Sequence, residues 1–133
     1  MKKGYHTNIE QLTIENTNFR KVLCTGEHSQ LVIMSLLPNE EIGMETHPDN
    51  DQFLRFEKGE GKVIINDTEY LVNNGSVVIV PAGSKHNVIN TSSEDPLKLY
   101  TLYSPPHHQD GMVRQTKEEA VKDDPEFDGK TTE

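Results

Sequence analysis

The chain has 133 residues, 32% of them hydrophobic and 6% aromatic, with no Trp and a formal net charge of −9. This length suits one domain, and so thin an apolar supply means that a high share of it must be buried. A surface this acidic repels phosphate backbones and anionic lipid, which argues against nucleic acid and membrane as partners.

Cys24 is the only cysteine, so no disulfide forms within the chain, as fits a reducing compartment. The stretch from Met1 to His6 lacks the apolar run of a signal peptide, and no apolar run is long enough to span a bilayer. A soluble, cytoplasmic protein is expected.

Short apolar runs recur between turn residues and few stretches have a helical period, the pattern of an all-β sandwich or barrel. Residues 1–18 read as an N-terminal arm, 19–104 as the barrel and 105–133 as a polar extension. Strands are expected over residues 19–25 and 30–37, joined by a hairpin at Gly26-Glu27-His28-Ser29. A turn at Pro38-Asn39-Glu40 leads into a third strand over 41–47, and Pro48-Asp49-Asn50-Asp51 turns the chain again. Residues 52–57 alternate and run to Gly59-Glu60-Gly61. Residues 62–65 and 69–72 flank the turn at Asn66-Asp67. After Asn73-Asn74-Gly75, residues 76–80 form a β-branched run suited to a strand covered on both sides. Residues 86–90 and 97–103 are the last strands. Beyond Ser104-Pro105-Pro106, the run Thr116-Lys117-Glu118-Glu119 has the spacing of a capping box and starts a short helix. Residues 123–133 are expected to pack weakly or to lie along a neighbouring subunit.

Two spacings carry chemistry. The first links Gly75, Pro81, Gly83, His86 and Asn90 as G-x5-P-x-G-x2-H-x3-N. Proline cannot donate to a sheet and suits a strand end, and glycine permits a sharp reversal that returns His86 into a barrel. The second is anchored on Gly59. Counting back reaches Gln52, then His47, then Glu45, then Asn39, a residue that tolerates positive φ. Anchoring instead on Gly43 fails, because it puts Asp49 and Asp51 where Glu45 and His47 would otherwise stand. Glu45 and His47 are two apart and share one strand face. Gln52 opens the partner strand across a short turn, and His86 joins from another strand pair.

Over roughly residues 30–103 these spacings resemble the two motifs of the cupin superfamily. The second motif fits at every fixed position. The first departs from it, with Asn39 for Gly, Glu45 for His and Gln52 for Glu. The resemblance implies a single cupin β-barrel (a double-stranded β-helix, or jelly roll) with a short C-terminal helix or tail. It also implies a divalent metal in the mouth, held by Glu45, His47, Gln52 and His86. Mixed nitrogen and oxygen ligands suit Fe, Mn, Ni or Zn alike. Gln52 either ligates through its amide oxygen or stands behind the ligands, orienting Glu45 or a water.

The implied activity is metal-dependent chemistry on a small oxygenated substrate: a sugar, sugar phosphate or hydroxy acid. An isomerisation through a metal-stabilised enediolate, as in phosphomannose isomerase-like proteins, leads the alternatives. An Fe-dependent dioxygenase and a non-catalytic ligand-binding or sensing module are the others. Glu45, His107, His108 and Tyr103 are the catalytic candidates. Glu45 or a loop histidine would move the proton, and only one of Tyr100 and Tyr103 can point inward. The family also implies a homodimer.

Overall fold

The computed structural model describes residues 1–133. In chain order it has α1 (Ile9–Glu15), β1 (Arg20–Thr25), β2 (Gln30–Leu36), β3 (Glu45–Thr46), β4 (Asp51–Lys58), β5 (Gly61–Ile65) and β6 (Thr68–Val72). Then follow β7 (Val77–Val80), β8 (Lys85–Asn90), β9 (Leu97–Ser104), β10 (Val113–Arg114) and α2 (Lys117–Lys122). One sheet runs β10-β1-β2-β9-β4-β7 and the other β3-β8-β5-β6, with neighbouring strands antiparallel throughout. This is the all-β barrel that the sequence predicts.

Alternation decides which residues fill it. On β4, Gln52, Leu54 and Phe56 turn inward while their neighbours stay partly exposed. Leu54 and Phe56 join Val32, Met34, Leu36, Val63, Val88 and Leu99 in one core shared by both sheets. Gly59 permits the turn from β4 to β5. Its φ is +100°, and a Cβ there would come within 2.5 Å of the Pro96 carbonyl oxygen, so no other residue fits without backbone movement. Asn39 has φ +63°, as expected of a residue standing in for glycine.

Four expectations change. Residues 41–47 are not one strand. Gly43, at φ +108°, interrupts them and donates its N–H to the Asn87 side chain at 2.9 Å. Only Glu45–Thr46 remain strand, with a lone bridge from Glu41 to Ile89. Residues 76–80 are not covered on both sides either. β7 is a sheet edge, and Val77 and Ile79 face outward at 48% and 62% exposure.

The arm carries a helix that periodicity does not announce, because its buried face is polar: Thr13, with Asn16 just beyond the C-terminus. Asn8 caps α1, accepting from the Gln11 N–H at 3.0 Å, and α1 lies over β2, β4 and β9. Finally, residues 123–133 fold back on their own barrel. Thr132 donates its backbone N–H to the Thr25 carbonyl at 2.9 Å, and its hydroxyl accepts from the Thr25 N–H at 2.7 Å. Short polar side chains here complete open backbone groups, which compensates for the missing apolar surface. The capping box forms with its return bond one residue early, to the Gln115 N–H rather than that of Thr116. Thr116 accepts from the Glu119 N–H at 3.2 Å, and Glu119 accepts from the Gln115 N–H at 2.8 Å.

Candidate metal centre

Strand register places the first two groups. β3 and β8 pair so that Glu45 stands opposite His86. His47 lies one residue past β3, and its carbonyl accepts the Gly83 N–H at 2.9 Å. That bond ties the end of the Glu45–His47 segment to the turn before His86, and Gly83 permits the turn at φ +83°. The strand opened by Gln52 is therefore not the partner of the 45–47 segment. β4 belongs to the other sheet, where Gln52 sits opposite Tyr103 on one side and Val80 on the other. Spacing fixes which face a residue takes but not which strand lies beside it, so Gln52 approaches from across the barrel.

Glu45, His47 and His86 offer ligand atoms that all lie within 4.8 Å of one another. Both histidines are buried and Glu45 is partly so. His47 Nε2 and Glu45 Oε2 are 3.1 Å apart, and the His47 and His86 ring centroids are 5.2 Å apart.

His86 is the most telling of the three. Its Nδ1 lies 3.0 Å from the Ser84 carbonyl, which can only accept, so Nδ1 carries the hydrogen. In the neutral ring Nε2 is then a bare lone pair. It is buried and has no partner. A buried acceptor without a partner is costly, and a cation shared with Glu45 and His47 relieves that cost. The Gln52 Oε1 is likewise buried and unpartnered, while its Nε2 donates to the Thr101 hydroxyl at 3.1 Å. One carboxylate and two imidazoles fit a divalent ion.

Burial alone would raise the Glu45 carboxyl, but the hydrogen bond with His47 and the charges of His47, Arg20 and His86 outweigh it and hold the group below its ordinary value. Tyr103 is the inward tyrosine, as only one of the pair can be, and Tyr100 is half-buried on the other face. Burial pushes the Tyr103 phenol well up, against the opposing pull of Arg20 and Gln52.

His107 packs its ring 4.2 Å from that of His47 and stacks on Tyr103 at 5.3 Å. Desolvation, then the neighbouring His108 and His47, lower it to about 4. His108 is turned elsewhere. Its Nδ1 meets Asp124 at 3.2 Å, its Nε2 is buried without a partner, and burial keeps its pKa low.

Two residues escaped the sequence reading. Asp124 lies in the polar segment expected to pack weakly, and nothing in the spacing marks it. Arg20 did leave a trace, since it shares a strand face with the buried Val22. It is itself buried and lines a cleft of about 200 Å³ together with Glu45, Ile42, Lys117, Val121 and Asp124.

A two-sheet barrel whose interior gathers a carboxylate and two imidazoles is the arrangement of a metal-site cupin. The cupin domain model matches residues 32–103, and the chain belongs to that family. It is 46% identical to the uncharacterized protein YrkC of Bacillus subtilis over 125 residues, which are 90% of this chain and 67% of that protein. It is 44% identical to the uncharacterized protein L612 of Acanthamoeba polyphaga mimivirus over 112 residues, 82% of this chain and 70% of that one. Among solved structures it resembles BH2720 of Bacillus halodurans at 41% identity, with a TM-score of 0.89 over 91% of this chain and 96% of that one. No helix of the chain is long and apolar enough to cross a membrane.

Proposed function

We propose that this cupin is a metal-dependent enzyme acting on a small oxygenated molecule, with isomerisation as its reaction class. The observation that carries the reading is the bare, buried His86 Nε2 beside Glu45 and His47. Glu45, His47 and His86 would hold the ion, and the buried, unpartnered Gln52 Oε1 would support them or a water. A divalent ion held by so few protein donors supplies a Lewis acid with open positions for vicinal substrate oxygens.

The remaining chemistry falls to the chain's own groups. Glu45 stays ionised and His107 stays neutral at neutral pH, so each presents a lone pair that accepts a proton or a substrate hydroxyl. Tyr103 remains a phenol and offers a donor. His108 faces Asp124, so it acts by holding the loop of His107 in place.

The test is solvent exchange. Metal-free and reloaded protein are incubated in D2O with aldoses, sugar phosphates and 2-hydroxy acids, and C–H signals are followed by NMR. The proposal expects deuterium next to a carbonyl in one class, only with metal present. Reloaded protein that exchanges no C–H in any class contradicts it. The donor set itself favours one second reading, because two imidazoles and a carboxylate also suit Fe(II) and oxygen. Oxygen uptake by the iron-loaded protein, with product absent under anaerobic conditions, would select that reading.

A further inference from the structure

Arg20 is a buried cation whose Nε has no hydrogen bond. Its side chain is 4% exposed, and its Nε is buried and unpartnered. The nearest carboxylate, Asp124, comes no closer than 3.7 Å to Nη1, beyond hydrogen-bond range. Its other close neighbour is the Phe19 ring, 5.2 Å from the guanidinium carbon. A guanidinium has five donors in a planar fork, and leaving a buried one unpaired is costly. Such a defect beside a candidate metal centre needs a function.

The surroundings say what would satisfy it. Arg20 and Glu45 line the same cleft, whose volume of about 200 Å³ is below the roughly 300–1,000 Å³ of drug-sized sites. The cleft opens beside α2, where Lys117 adds a second positive charge. Asp124 already reaches toward the fork but is committed to His108 at 3.2 Å. Its side chain is 38% exposed and follows the end of α2.

We infer that Arg20 receives a carboxylate of the substrate, and that Asp124 is the chain's own stand-in for that group until the substrate displaces it. The ligand is then a small carboxylic acid with a second oxygen next to the carboxylate. Its carboxylate is clamped by the Arg20 fork, and its neighbouring oxygen is directed at Glu45, His47 and His86. The placement of that second oxygen rests on the metal-centre reading proposed above; the Arg20 clamp does not. A neutral sugar leaves Arg20 unpaired. A doubly charged phosphate meets Glu45 and Asp124 in a cleft whose only two cations are Arg20 and Lys117.

The experiment compares glycolate with its neutral isostere glycolamide, and acetate with acetamide, by calorimetry on the full chain. Each ligand is titrated into zinc-loaded and metal-free protein, and zinc stoichiometry is measured on the same samples. Glycolate is expected to bind the loaded protein about tenfold or more tighter than glycolamide, the scale of a charge-assisted pair. Acetate should keep its preference over acetamide in metal-free protein. Arg20→Met should abolish both preferences.

Asp124→Asn removes the competing carboxylate from a half-exposed position and should tighten glycolate binding several-fold. This variant carries the test should Arg20→Met fail to fold. Wild-type protein that binds glycolate and glycolamide equally overturns the inference, as does unchanged glycolate affinity in folded Asp124→Asn. Inorganic phosphate that outcompetes glycolate overturns the carboxylate assignment. Protein that takes up no zinc yet prefers acetate refutes the metal reading and leaves Arg20 as a carboxylate clamp.

Discussion

The two nitrogens of His86 meet different surroundings, and that difference predicts a separable phenotype. Nδ1 is held by the Ser84 carbonyl, whereas Nε2 stabilises nothing in the chain. His86→Ala removes one hydrogen bond and a buried ring but also relieves the unpartnered Nε2, so the metal-free protein should lose no more than about 2 kcal/mol, measured by urea unfolding. The same variant should lose metal affinity by about a hundredfold or more, since a ligand is removed where even a supporting residue is worth 10–100-fold. A large stability loss in the metal-free state would mark His86 as a structural core histidine instead. Gln52 divides its two roles similarly. Gln52→Ala frees the Thr101 hydroxyl and removes the amide oxygen, and a drop in metal affinity of about tenfold, read by competition with a chelator, is expected of a residue supporting the ligands.

At the scale of elements, Asn90 at the end of β8 holds three chain segments together. Its side-chain amide donates to the carbonyls of Leu36, Leu37 and Asp95 at 3.2, 3.0 and 2.9 Å, and its oxygen accepts the Ser92 N–H at 3.0 Å. Asn90→Ala should destabilise the fold by about 3 kcal/mol, because several buried backbone groups lose their partner together; a change under about 1 kcal/mol in chemical unfolding would contradict this. β7 predicts the opposite: Ile79→Thr on its exposed face should shift stability by no more than about 0.5 kcal/mol.

These elements also show what was legible beforehand. Gly75, Pro81, Gly83, His86 and Asn90 could be read in sequence because each answers to local backbone geometry or to one fixed contact set. Glu45 and His47 could be read because the pleat alone puts them on one face. The pairing of β3 with β8 could not, since neighbours across a sheet are chosen by the whole chain. α1 and the Arg20–Asp124 approach were hidden for a related reason: both rest on polar groups whose partners are more than 80 residues away in sequence, Lys98 for Asn16 and Asp124 for Arg20.

At the scale of the whole molecule, the C-terminal strap closes over the barrel through titratable groups. Phe127 donates its N–H to the His107 carbonyl at 2.9 Å, and Asp124 reaches both His108 and Arg20. His107 is lowered from 6.5 to about 4, and His108 is lowered as well. As pH falls across that window, the unfolded chain takes up protons that the folded chain refuses, so folding stability falls with it. Asp124 is held below its ordinary 3.8, against the pull of burial, by His108 and Arg20, so further stability is lost as pH falls below that value. Calorimetry of the metal-free protein should show the melting temperature dropping from pH 7 to pH 4.5; a flat profile would contradict the depressed histidines.

The barrel's interior stands or falls on whether Glu45, His47 and His86 share an ion. Equilibrium dialysis against zinc or manganese, followed by elemental analysis of wild-type, Glu45→Ala and His86→Ala proteins, measures this directly. One ion per chain in the wild type and none in either variant is the predicted result. Wild-type protein that retains no metal, or a His86→Ala protein that still holds one equivalent, would contradict it.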